Sequence, residues 1–169
     1  MRRGLFSLGM LLVAAMALSG QVAFATGPAK PVSAKKFDAL ATAALEAMKQ
    51  KAAALKIGGV ATVNYAPGDT VQAWSSKMAV VGRMKDVPTD TSKGNNLLGI
   101  AYSKAAEMAD TLQNSGTAKR PPMTGEFGWQ GGVIERVKSG YAIVSFSGGK
   151  SEDDVQVSKA GLEVLKKGL

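Results

Sequence analysis

The 169-residue chain has no cysteine and no histidine. Without cysteine there are no disulfides, so an exported form must hold its fold by core packing alone, and an N-terminal lipid-modified cysteine is excluded. Without histidine there is no Ser-His-Asp triad, no Cys-His dyad and no imidazole metal site. Aromatic residues make up 6% of the chain, and its tyrosines and tryptophans do not interleave with the scattered lysines. That pattern argues against base stacking on a basic surface, and so against a nucleic-acid partner.

Long apolar runs are also scarce. Leu5 to Leu18 is the longest, behind the short basic stretch Met1-Arg2-Arg3 and ahead of Ala23-Phe24-Ala25. A basic start, a short apolar stretch and a small-x-small site together predict a signal peptide over 1–25. The run falls short of the roughly 20 apolar residues that span a bilayer, so no stable membrane span is expected after cleavage. The expected location is the periplasm or the extracellular space. Cleavage would remove Arg2 and Arg3, taking the net charge from +8 to +6. The mature chain would remain basic enough to attract an anionic ligand or an acidic surface.

Residues 26–32, with Pro28 and Pro31, read as an extended leader, and 33–169 as a single domain. Ser33 can cap a helix whose apolar stripe is Phe37, Leu40, Ala41, Ala44, Leu45, Met48 and Leu55, ended by Gly58-Gly59. Val60 to Tyr65 predicts a strand, Ala66-Pro67-Gly68-Asp69 a turn, and Thr70 to Ser75 a returning strand. Asp86 to Asn96 predicts a loop. Leu97 to Leu112 predicts a second helix with Leu98, Ala101, Tyr102, Ala105, Ala109 and Leu112 on one face. Val133 to Lys138 and Tyr141 to Phe146 predict paired strands. A last helix begins at Ser151, with Asp154 completing a capping box.

Two segments invite a chemical reading. Gly149-Lys150-Ser151 follows a strand and opens a helix, as a phosphate-binding loop does. Its first glycine would have to stand where Val144 is, and Glu152, Asp153 and Asp154 would repel a triphosphate, so a nucleotide site is excluded. Thr117 to Gly132 is irregular and carries Pro121-Pro122, Met123, Phe127 and Trp129. It reads either as a loop that lines a ligand or as a crossing loop whose aromatics plug the core edge.

At Ser145-Phe146-Ser147-Gly148-Gly149, Asp153-Asp154 and Ala160-Gly161-Leu162, the chain resembles the GlcG/HbpS-like haem-binding family. Gly131-Gly132-Val133-Ile134 and Ala101-Tyr102-Ser103-Lys104-Ala105 carry the resemblance upstream in the same order. Where that family often has Val-Val-Asp-x-x-Gly, this chain has Val63-Asn64-Tyr65-Ala66-Pro67-Gly68.

The resemblance implies an α/β, profilin-like α-β-α layered domain, a mainly antiparallel sheet flanked by helices, and homo-oligomerisation. It also implies binding of haem or a related tetrapyrrole. With no His or Cys, iron ligation would fall to Met, Tyr or Lys, or be weak. Met123, Tyr102, Met108, Met84 and Tyr65 are the candidate ligands, with Lys104, Lys119 and Arg120 for the propionates. Phe127 and Trp129 are the loop aromatics that would surround the ligand. Two alternatives remain. One is an enzyme or enzyme accessory acting on a small hydroxy acid, with Lys104 or Arg120 on the carboxylate and Glu126 as base. The other is an oligomeric partner-binding module.

Overall fold

A computed structural model describes residues 30–169, so the expected signal peptide and the first part of the leader lie outside the described residues. Helix α1 (Ala34–Ala54) starts at Ser33, whose hydroxyl accepts the Lys36 N–H at 3.3 Å. It buries Phe37, Ala41, Ala44, Leu45 and Met48 of the expected stripe, together with Ala52. The helix does not run to the glycine pair. Lys56 takes the left-handed conformation (φ 57°) that ends it, and Gly59 already opens strand β1 (Gly59–Pro67).

Strands β2 (Ser75–Val81), β5 (Gly132–Val137) and β6 (Gly140–Ser147) complete a four-stranded sheet in the order β2-β1-β6-β5, antiparallel throughout. The returning strand therefore begins where the sequence reading ends it. Tyr65 pairs with Ser75 and Gly59 with Val81, so 70–74 belongs to the connection. The expected loop 86–96 contains one side and the far end of a small hairpin, β3 (Lys85–Asp86) with β4 (Asn95–Asn96).

Alternation along the strands divides the two faces. Ala61, Val63 and Tyr65 of β1 and Ala142, Val144 and Phe146 of β6 pack beneath α1 and α3 (Ser151–Leu165). Gly161 of α3 lets α1 approach closely, since a Cβ there would lie 2.7 Å from the Met48 sulfur. The opposite face meets α2 (Leu97–Thr111) with a row of buried polar groups. Thr62 and Ser145 hydroxyls lie 2.7 Å apart, and Ser145 donates to the Ala101 carbonyl at 2.7 Å. Thr62, Asn64 and Ser145 thus find partners in the sheet or the helix backbone, apart from the Asn64 carbonyl oxygen.

The buried side of α2 is rotated from the expected face. Leu97, Ile100, Ala101, Lys104, Ala105 and Met108 are buried, whereas Leu112 is exposed and has left the helix as its left-handed cap. Helix α3 differs at its start. Lys150, not Ser151, is the N-cap, and it makes no side-chain cap bond. Asp154 is consequently not the partner of a capping box.

Candidate functional site

Beta-hairpin β3–β4, the N-terminal half of α2 and the segment 117–131 enclose a groove of about 300 Å³, lined by Asn95, Asn96, Gly99, Ile100, Ser103 and Phe127. Asn96 opens α2 by accepting the Gly99 N–H at 3.0 Å, which fixes this helix end beside the hairpin. Asn95 and Ile100 also line a smaller cavity of about 110 Å³, bounded by Lys104, Asp154, Trp129 and Gly149.

The irregular segment is held in place by charge. Arg120 grips Glu126 with two hydrogen bonds of 2.7 Å and reaches Asp110 of α2 at 2.6 Å. Glu126 also accepts the Met123 N–H at 2.8 Å, and Ser103 of α2 donates to the Gly125 carbonyl at 2.7 Å. These bonds hold Glu126 ionised, at a pKa of about 2, chiefly through Arg120 and then through the Met123 N–H. Arg120 is in turn pushed above its ordinary value, first by Glu126 and then by Asp110. So tethered, the segment presents Phe127 and Trp129 as a tilted pair with ring centroids 4.9 Å apart. Both rings remain nearly half exposed, at 46% and 48%.

At the floor of the smaller cavity lies a buried ion pair. The Lys104 ammonium donates to Asp154 Oδ2 at 2.9 Å and to the Phe146 carbonyl at 2.8 Å, and both side chains are below 5% exposed. Gly131 (φ 138°) passes directly beside it, where any Cβ would run into the ammonium. Burial pushes the Lys104 pKa down, opposed by the charge of Asp154. Burial likewise pushes Asp154 up, opposed by Lys104 and by the Gly149 and Gly148 N–H groups. Asp154 Oδ1 accepts the Gly149 N–H at 2.8 Å. The Ser-Gly-Gly turn that looks like a phosphate loop is therefore filled by the protein's own carboxylate. A second clamp closes this wall: Arg83 bonds Asp86 at 2.8 Å and the Gly148 carbonyl at 2.7 Å, and Asn95 bonds Asp86 at 3.0 Å.

Of the expected site residues, Phe127, Trp129 and Lys104 come together around the two cavities. Met123 sits on the same loop, 51% exposed. Arg120 organises that loop from behind. Tyr102 lies outside both cavities, its hydroxyl 3.0 Å from Ser76 Oγ, tying α2 to the edge strand β2. Tyr65 is buried on the opposite face of the sheet, donating to Ser139, and Met108 is fully buried against Gly132. Neither can reach a ligand from outside, which corrects their place among the candidate iron ligands. Met84 is exposed, and Lys119 is exposed without an ion pair among the described residues.

Asp154 as the partner of Lys104 escapes the sequence reading, because the two are 50 positions apart. The available signal was Lys104 itself, three residues after Ala101 and four before Met108, on the buried side of α2.

No family model matches the chain, and no curated protein matches its sequence. Among solved structures, the crystal structure of a PduOC:heme complex is similar, with a TM-score of 0.53 at 15% identity over 80% of this chain and 95% of that one. The chain thus shares a profilin-like α/β fold, an antiparallel four-stranded sheet flanked by helices, with a protein of known structure.

Proposed function

We propose that this is an exported small-ligand-binding protein of the GlcG/HbpS-like type, with haem or a related tetrapyrrole as its ligand. The observation that carries the reading is the exposed Phe127–Trp129 pair, one ring lining the groove and the other the smaller cavity beside it. It stands in a fold shared with a protein crystallised with haem. Nearly half-exposed aromatic rings on a loop pinned by Arg120 are a preorganised stacking surface for a flat apolar ligand.

The residues fit the face of a tetrapyrrole better than its metal. Phe127 and Trp129 would hold the ring, and the Met123 thioether is the exposed soft donor on the same loop. No His or Cys exists to supply a strong axial bond. Lys119 and Lys93 are among the exposed cations in the neighbouring segments that could meet propionates, since Lys104 and Arg120 are engaged by Asp154 and Glu126. When bound, haem would supply a visible chromophore and a redox-active iron; the chain's part is to stack, orient and shield the ring.

The hydroxy-acid enzyme reading needs Glu126 as a base and Lys104 or Arg120 free for a carboxylate. A carboxyl with a pKa of about 2 is a poor base near neutrality, and both cations already hold carboxylates. Homo-oligomerisation belongs to the same proposal as the binding reading, with sedimentation as its check.

Haem titration of the protein, followed by the Soret band and by Trp129 fluorescence in a Trp74→Phe background, tests the reading. Saturation near one equivalent is expected, with at least tenfold weaker binding after Phe127→Ala combined with Trp129→Ala, read by absorbance. A spectrum indistinguishable from free haem would sink it. N-terminal sequencing of the exported protein, expected to begin at Thr26, checks the export reading.

A further inference from the structure

At the other end of the sheet, the β5–β6 turn, the start of α1 and the end of α3 form a second groove of about 600 Å³. Strand β5 and helix α3 each run about 20 Å between the two ends, so this groove is well separated from the aromatic one. Its walls carry Lys36, Arg136, Lys138, Lys166 and Lys167, with Glu135 the acidic side chain among them.

The charges are not equally engaged. Lys166 lies between Glu135 at 3.1 Å and Glu163 at 2.9 Å. Arg136 is paired with Asp69 and lies 4.9 Å from the Tyr141 ring centroid. Lys36, Lys138 and Lys167 are exposed and have no carboxylate partner among the described residues. Three elements far apart in sequence thus bring three unpaired ammonium groups to one concavity whose remaining cations are fixed in orientation. Lysine ammonium groups are compact, strongly hydrated point charges, suited to phosphate oxygens rather than to planar recognition.

We infer that this groove binds a phosphate-class anion carrying several negative charges, presented either as a soluble oligophosphate or as phospholipid headgroups. The site is independent of the aromatic groove and takes a different class of ligand.

The test uses the full chain and its Lys36→Gln/Lys138→Gln/Lys167→Gln variant, with folding of both checked by circular dichroism. One arm titrates inorganic tripolyphosphate by calorimetry at low salt; the other measures co-sedimentation with phosphatidylglycerol-containing vesicles. The apolar N-terminal segment is common to both proteins, so the difference between them reports the groove. Each lysine near an anionic surface contributes roughly a factor of five, so the triple variant is expected to bind vesicles roughly 100-fold more weakly. Loss in the vesicle arm alone assigns the groove to a lipid surface. Loss in the tripolyphosphate arm assigns it to a soluble anion. No binding by the unmodified chain in either arm, or equal binding by the triple variant, overturns the inference. Neither result bears on haem titration, so the two readings fail separately.

Discussion

Replacing Lys104 by methionine keeps most of the side-chain volume and removes one charge from the buried pair with Asp154. The remaining carboxylate would be below 5% exposed, held by the Gly149 N–H at 2.8 Å but no longer by an ammonium at 2.9 Å. Removing one partner of such a pair costs about 3–5 kcal/mol, because the surviving charge stays buried without compensation. For a domain of this size that is a fall in Tm of roughly 10–17 °C.

The loss should depend on pH in a determined direction. Burial already raises the Asp154 pKa while Lys104 opposes the rise, so the variant raises it further. A carboxyl whose folded pKa exceeds its unfolded value favours the folded state when protonated, and that advantage disappears as pH rises through the folded pKa. Urea unfolding of both proteins at about pH 7 and about pH 4 should therefore give a smaller difference at the lower pH. Taking the difference cancels the titration of carboxylates common to both. A loss under about 1 kcal/mol at about pH 7, or one that grows on acidification, would refute the account of this pair as mutually dependent buried charges.

Gly131→Ala places a Cβ against the Lys104 ammonium at a φ of 138°, and should lower stability by about 1–3 kcal/mol in the same urea assay. Arg120→Ala releases Glu126, whose pKa should rise from about 2 towards the ordinary glutamate value, as read by NMR titration of its carboxyl carbon. Because that pKa is depressed in the fold, the stability Glu126 contributes is present above the ordinary carboxylate range and lost as pH falls towards about 2. Phe146→Ala should cost about 3–5 kcal/mol, since the ring is fully buried between β6 and the α1–α3 layer; a loss below about 1 kcal/mol would place it outside the core.

The α1 stripe from Phe37 to Met48 was legible because a 3.6-residue period over about three turns has few competing explanations. Strands β1 and β6 were legible as β-branched and aromatic runs between turn residues. Strand β2 was misplaced because Thr70 to Ser75 has the composition of a strand, whereas its start is set by the pairing of Tyr65 with Ser75. The face of α2 is hard to read because Ala101 and Ala105 belong to both the expected and the observed face, and such small side chains give the period little contrast. The site residues divide in the same way. Phe127 and Trp129 stood out as apolar side chains in an irregular segment. Tyr102 was drawn in by its neighbours in sequence and turned out to serve the β2 edge. Asp154 looked like a helix-start acid because local rules assign it there, and only the third dimension brings Lys104 to it.

The carboxylate of Asp154 sits in the Ser147–Gly149 turn as a tethered ligand. Held on the first turn of α3, it presents an effective concentration that a dissolved anion competing for the same N–H groups must exceed, and tethering alone sets this at millimolar or above. Phosphate at ordinary concentrations would have to displace it and leave the carboxylate buried beside the intruding charge. The turn is thereby occupied in cis, and the glycine-rich geometry that resembles a nucleotide cradle works as an internal latch, fastening α3 to the sheet and to α2 through one aspartate.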